Sequence, residues 1–207
     1  KGVPIKKVTT SIVQIAPNEL LKGRVALLTG GTSGIGFAIA NAFLKSGASV
    51  VITGRDESRI QDSCKKLLQN KDFQNRIFGV VMDNTDVAEF ETCFQKILSL
   101  LDGRNVDILI NNAGVLDKGL NAIDQIDYDD LNRVIDINQK GTMYCMSEAL
   151  KVMKSGASIV NISSVAGQYG AGGAVYVSTK AAIIGVTKHA AMRFAKEKIR
   201  CNVICPG

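Results

Sequence analysis

Tyr176 and Lys180 stand four residues apart in a run, Tyr176–Lys196, with helical spacing. Positions i and i+4 share a helix face, so the phenol and the ammonium point the same way. A phenol with its ordinary pKa of about 10 exchanges protons poorly at pH 7, and a cation about one helical turn away favours the phenolate. Such a pair can trade a proton with a carbonyl or hydroxyl oxygen. Upstream, Ser163 and Ser164 close an apolar run, and a hydroxyl there could hold that same oxygen in place. Each piece has an ordinary reading too: Tyr-x-x-x-Lys arises by chance on many helices, and a serine at a strand end is commonly a turn or cap residue. It is the combination that points to proton transfer at an oxygen.

A second constellation lies near the start. An apolar run, Arg24–Thr29, leads into Thr29-Gly30-Gly31-Thr32-Ser33-Gly34-Ile35-Gly36, and helical spacing follows over Ile35–Lys45. Glycine lets the backbone turn sharply and approach a ligand closely. The helix that begins there aims free N–H groups and its positive dipole end at the loop, which suits a pyrophosphate. The spacing is TGxxxGxG rather than GxGxxG; a tight turn with no ligand is the plain alternative. The next apolar run ends Ile52-Thr53-Gly54-Arg55. A site for NAD places an acid at the end of this strand, to hold the ribose hydroxyls. Here that position is Gly54, followed by Arg55, whose guanidinium would bind a 2′-phosphate that a carboxylate would repel. Thr32 and Ser33 could add hydroxyl donors. The expectation is NADP(H) in preference to NAD(H).

These groups need a frame, and the chain supplies a regular one. Strands are expected at Arg24–Thr29, Ser49–Thr53, Arg76–Met82, Val106–Ile110, Ser158–Ile162 and Ile199–Ile204. Helices are expected at Ile35–Lys45, Glu57–Leu68, Val87–Leu101, Asp127–Met153 and Tyr176–Lys196. Asp86 followed by Glu89 resembles a capping box. Strands without polar alternation are buried on both faces, which requires a parallel sheet covered by helices on each side. The expected fold is therefore α/β: one doubly wound, Rossmann-type domain over residues 23–207, with residues 1–22 as an N-terminal arm. Within that arm the Val8–Ile15 run reads equally as an extra strand or a loose segment. The last expected strand is followed by Pro206-Gly207 with nothing to cover the sheet edge, so a C-terminal segment is expected to be missing from the sequence.

Composition narrows the function classes. At 207 residues and 46% apolar, a core forms without staples. The net charge of +6 is spread along the chain, unlike the dense basic blocks that bind nucleic acid. No apolar run is long enough to span a membrane. Cys64, Cys93, Cys145, Cys201 and Cys205 form no CxxC pair, and the lone His189 lies near no pair of cysteines, so no metal site is expected. An odd, scattered set of cysteines fits a reducing cytoplasm.

With these features in view, the chain resembles the short-chain dehydrogenase/reductase family. The matching pieces are Thr29–Gly36, Asn111-Asn112-Ala113-Gly114, Asn138 before Gly141, Asn161-Ile162-Ser163-Ser164, Tyr176 with Lys180, and Cys205-Pro206-Gly207, in family order from residue 22 onward. The resemblance implies roles. Tyr176 would be the acid/base, with Lys180 tuning it and holding the nicotinamide ribose. Ser164 would orient the carbonyl, and Asn138 would support a water chain to Lys180. The cofactor would be held by Gly30, Thr32, Ser33, Gly34, Ile35, Gly36 and Arg55, by Asp83 and Asn84 near the adenine, and by Asn112, Ala113 and Gly114. Tyr176, Lys180, Pro206 and Gly207 would line its nicotinamide end. Ser164 lies twelve residues before Tyr176 where the family more often has thirteen; Ser163 lies at thirteen and remains the second choice.

The resemblance further implies an NADP(H)-dependent oxidoreductase that interconverts a ketone and a secondary alcohol, with a 3-oxoacyl thioester (acyl-carrier-protein) reductase as the leading substrate reading. The expected partners are a small carbonyl or alcohol and further copies of the chain, as a homotetramer or homodimer. The alternative is a dinucleotide-sensing or scaffold protein of the same fold that has lost turnover. An extended-branch epimerase would need a TGxxGxxG loop, which is absent.

Overall fold

The uninterrupted apolar run from Val25 to Thr29 is buried at every residue. A computed structural model describes residues 16–207, so the Val8–Ile15 run and the rest of residues 1–15 lie outside the described residues. Six strands, β1 (Val25–Thr29), β2 (Ser49–Gly54), β3 (Ile77–Val81), β4 (Ile108–Asn111), β5 (Ser158–Ile162) and β6 (Arg200–Ile204), form one sheet in the order β3-β2-β1-β4-β5-β6. Every pairing is parallel. The helices are α1 (Gly34–Lys45), α2 (Glu57–Leu67), α3 (Phe90–Leu100), α4 (Tyr128–Val134), α5 (Gly141–Val152), α6 (Ala166–Tyr169) and α7 (Ala174–Arg193).

Successive strand residues face opposite ways, and the two faces feed two cores. Leu27, Val51, Leu109 and Ile159 pack with Ile97 of α3, Ala149 of α5 and Ala190 of α7. Leu28, Ile52, Ile110 and Ile162 form the other core with Leu44 of α1 and Ile60 of α2. This is the doubly wound, Rossmann-type arrangement in a single domain. The chain crosses from one half of the sheet to the other between β1 and β4. In such sheets ligands sit at that reversal, beyond the carboxyl ends of the strands.

The expected elements are all present, with informative differences. The outer strands are not buried on both faces: Val81 in β3 and Arg200, Asn202 and Ile204 in β6 are exposed. β4 starts at Ile108 rather than Val106, because the Asp107 carboxylate accepts from the Val25 N–H (2.9 Å) ahead of the ladder. The Val87 helix opens with a 3-10 turn, Val87–Glu89. Asp86 accepts from the N–H groups of Ala88 (3.1 Å) and Glu89 (3.3 Å), while a return bond from Glu89 is absent among the described residues, so only half of the capping box forms. The last helix begins two residues early, at Ala174, and ends at Arg193.

The largest difference concerns the helix expected over Asp127–Met153. It is continuous but carries a π-helical stretch, Ile135–Lys140, between α4 and α5. A π-turn and an α-turn have the same composition, so periodicity alone does not separate them. No helix among the described residues is long and apolar enough to cross a membrane.

Candidate active site

The glycine loop is held against the ends of β1 and β4. Gly30 (φ +67°) and Gly34 (φ +53°) take left-handed conformations that favour glycine. A Cβ on Gly36 would strike the Gly30 carbonyl oxygen and come within 2.6 Å of Asn112 Nδ2. Asn112 Nδ2 donates to the carbonyls of Thr29 (3.1 Å) and Gly30 (3.0 Å), and Thr29 Oγ1 accepts from the N–H groups of Asn112 and Ala113, both at 3.1 Å. No side chain caps α1, so its first-turn N–H groups stay free at the loop.

Above this loop runs a cleft of about 740 Å³, lined by Gly30, Thr32, Ser33, Ile35, Arg55, Asp83, Asn84, Asn112, Ala113 and Gly114. Every one of these is a residue the sequence assigned to cofactor binding. The cleft's size, the close-packed glycines and the uncapped helix end fit a dinucleotide. One Asp83 oxygen accepts from Thr85 N (2.9 Å) and Thr85 Oγ1 (2.8 Å), which fixes the carboxylate. A side chain at Gly54 would meet Thr32 Cγ2 at 3.2 Å, so the usual acid position is also crowded.

A second pocket, of about 190 Å³, shares Ile35, Asn112 and Gly114 with the first and is lined further by Ser163, Ser164, Tyr176, Lys180 and Pro206. Lys180 Nζ lies 5.6 Å from the centre of the Tyr176 ring. The lysine is only 4% exposed and donates to the Ile162 carbonyl at 2.9 Å. Burial pushes its ammonium down to about 8, with a small opposing effect from Cys205. The two serines separate clearly. Ser163 is buried and its hydroxyl donates to the Lys180 carbonyl (2.7 Å); Ser164 accepts from Ala166 N (3.1 Å), which leaves its own O–H proton free in the pocket.

Asn138 sits behind this pocket, fully buried, in the π-stretch. Its Oδ1 accepts from Val115 N (2.8 Å), and its Nδ2 donates to the Val115 carbonyl (2.9 Å) and to Thr179 Oγ1 (3.2 Å). The side chain is thereby spent on clamping the loop after β4 to α7. Its carbonyl accepts from Thr142 Oγ1 at 2.7 Å. A Cβ on Gly114 would lie 3.3 Å from both Asn138 Oδ1 and Lys180 Nζ.

Among the remaining assigned residues, Gly34 and Gly36 shape the loop without lining either pocket, and Gly207 stands against Val165. The sequence reading missed Arg59, Asp56 and Ile137, which also line the large cleft. Arg59 is the third residue of α2, so a signal existed: the first turn after β2 sits beside Arg55. Neither Arg55 nor Arg59 forms an ion pair among the described residues. The Asp56 carboxylate is engaged by its own helix, where the Ser58 hydroxyl and then the Arg59 N–H hold it below the usual carboxylate range.

The family model for short chain dehydrogenase matches residues 24–207. The chain belongs to the short-chain dehydrogenase family. Among curated relatives, the 3beta-hydroxysteroid dehydrogenase 2 of Eggerthella lenta is 32% identical over 92% of this chain and 72% of its own length. The 3-oxoacyl-(acyl-carrier-protein) reductase of Aquifex aeolicus is 36% identical, over 90% of this chain and 74% of its own. Among solved structures, the RhlG/NADP active-site complex of Pseudomonas aeruginosa superposes with a TM-score of 0.82 at 29% identity, covering 93% of this chain and 75% of that one. The chain thus spans about three quarters of these short-chain dehydrogenase relatives. The family is one of oxidoreductases that bind a nicotinamide dinucleotide.

Proposed function

We propose that this chain carries the NADP(H)-dependent interconversion of a ketone and a secondary alcohol, with Tyr176 as acid/base. The observation that carries the reading is the Tyr176–Lys180 pair, 5.6 Å apart, in a pocket that opens into the dinucleotide-sized cleft. A bound nicotinamide supplies or accepts the hydride. The chain's own residues manage the oxygen. In reduction, the Tyr176 hydroxyl gives its proton to the carbonyl oxygen as the carbon is reduced, and the Lys180 ammonium stabilises the phenolate left behind. Ser164 donates its free O–H to the same oxygen and fixes its direction. Ser163, with its hydrogen bond to the Lys180 backbone, is assigned to holding α7 in place rather than to the substrate.

For the cofactor, Arg55 and Arg59 present two unpaired guanidiniums in a cleft whose acid position is a glycine, which supports NADP(H) over NAD(H). Arg55→Asp is expected to lower the NADP/NAD ratio of kcat/KM by roughly 10- to 100-fold, the size of a lost charge-assisted bond with repulsion added. Steady-state kinetics with both cofactors checks this, and an unchanged ratio removes Arg55 from phosphate binding.

The named relatives include proteins acting on steroids and on 3-oxoacyl carriers, and the simplest reading among these is a 3-oxoacyl thioester. We further propose a homodimer or homotetramer, a cytoplasmic setting, and residues 1–22 as an arm outside the catalytic domain. The test is NADPH oxidation by the chain over 3-oxoacyl thioesters, steroid ketones and sugars. Turnover of one class names the substrate; tight NADPH binding with no turnover in any class would favour a dinucleotide sensor instead.

A further inference from the structure

Asp117 is the one buried carboxylate among the described residues whose two oxygens both lack a hydrogen-bond partner. It is 6% exposed. An unpaired carboxylate in such a place costs several kcal/mol unless something nearby compensates it. Its nearest notable neighbour is the start of α7. A Cβ built on Gly173, the residue before that helix, would run into the Asp117 carboxyl group itself. The carboxylate therefore fills the volume in which an N-cap side chain at position 173 would lie.

That place has a use. The twenty-residue helix α7 begins without a capping side chain. Of its first three N–H groups, Ala174 donates to the Asn121 carbonyl at 2.9 Å, while Val175 and Tyr176 donate to no acceptor among the described residues. An N-cap oxygen accepts from the second and third of these groups, and here the third belongs to Tyr176. Gly173 has φ −67° and ψ 142°, so nothing in its backbone calls for glycine; the neighbouring carboxylate does.

We infer that Asp117 is the N-cap of α7, supplied from the loop after β4, and that it sets the position of Tyr176 against the substrate pocket. This rests on the reading of Tyr176 as acid/base. Asp117 touches no reacting atom; it is a positioning residue. The same loop is tied at each side of it. Val115 is clamped by Asn138, the Leu116 carbonyl accepts from Arg133 (2.8 Å), and Lys118 N donates to Asp130 (2.6 Å). Leu116 itself lines the small pocket, so Asp117 joins that wall to the turn bearing the phenol.

The test uses the full chain and needs two readouts. The first is amide hydrogen exchange resolved by NMR. In Asp117→Ala the Val175 and Tyr176 amides are expected to exchange at least about tenfold faster, the scale of a lost charge-assisted bond. In Asp117→Asn, which keeps an acceptor, the rise is expected to be about threefold. The double change Asp117→Ala with Gly173→Asp, which returns a cap from within the helix, should restore the original rates. The second readout is kcat with NADPH and the ketone that the substrate survey identifies. Asp117→Ala is expected to lower kcat about tenfold at unchanged KM for NADPH, and the double change to recover it.

Unchanged exchange at Val175 and Tyr176 overturns the inference. So does faster exchange confined to Gly119 and Leu120, which would mean that Asp117 serves its own turn. Faster exchange with kcat intact also overturns it, since the cap would then be structural only. Should Asp117→Ala fail to fold, Asp117→Asn is read in the same way. If no ketone is reduced by the unaltered chain, the proposed function falls on that result, and the cap is still decided by the exchange rates.

Discussion

Tyr176→Phe should reduce ketone turnover by about 10³-fold or more while leaving NADPH binding within a few-fold of the unaltered chain. Proton transfer by a placed side chain is worth about 10²- to 10⁴-fold, and here no second acid is at hand. Lys180 is committed to the Ile162 carbonyl, and the Ser163 hydroxyl to the Lys180 carbonyl. Only Ser164 keeps a free O–H in the pocket, and an unassisted alcohol is a far weaker acid than a phenol beside an ammonium. The fold should not suffer, because the Tyr176 hydroxyl makes no hydrogen bond among the described residues and the ring remains. Single-turnover reduction, with NADPH affinity measured by fluorescence, separates the two effects. Equal rates in the two proteins would remove Tyr176 from the chemistry.

Lys180→Met is expected to move activity and stability in opposite directions. Burial lowers the ammonium from its ordinary 10.5 to about 8. The sign follows from proton counts. Below pH 8 both folded and unfolded chains hold the proton, and the cost of burying the charge is fully present. Between pH 8 and 10.5 the unfolded chain binds more protons, so this group's contribution rises with pH. The full span amounts to about 3 kcal/mol at about 1.4 kcal/mol per pKa unit. Methionine removes the charge and strands the Ile162 carbonyl, which returns about 1 kcal/mol. The ligand-free variant at pH 7 should therefore melt roughly 3–6 °C higher, with ketone reduction reduced by orders of magnitude. The melting temperature of the unaltered chain should gain on that of the variant as pH rises from 8 to 9. A variant that melts lower at pH 7, or a difference that does not change with pH, would mean that the lysine is not buried as a charge.

Much of the frame is legible from the residue pattern because it follows from solvent exclusion. Val25–Thr29, Ser49–Gly54 and Ser158–Ile162 have no polar alternation, and all lie in the middle of a covered sheet. The same logic misjudged the outer strands. Val81 and Ile204 are as apolar as their central counterparts, yet they face outward, since exposure depends on a neighbour that a strand's own sequence does not encode. The chemistry at Tyr176, Lys180 and the glycine loop was readable because spacing on one helix or one turn fixes geometry. Arg59, Asp56 and Ile137 were not found, because they reach the cleft through the packing of separate elements. Asp117 was invisible for the same reason. A lone aspartate in a loop carries no mark of burial, and its contact with Gly173 spans more than fifty residues of chain. The serine ambiguity shows the limit from the other side. Counting left Ser163 and Ser164 open, and the direction of one hydroxyl distinguishes them.

The π-stretch at Ile135–Lys140 leaves this domain sensitive to the reading frame of a single helix. A π-turn holds about one residue more than the α-turn it replaces. Deleting any one residue there lets an ordinary α-helix re-form and swings everything after it by about 100° around the axis. Cys145, Met146 and Ala149, now sealed against the sheet, would rotate toward water, and Asn138 would release Val115. Point changes along this stretch can be absorbed one at a time, but a lost codon cannot. The segment should therefore drift in composition between descendants of this gene while keeping a constant length.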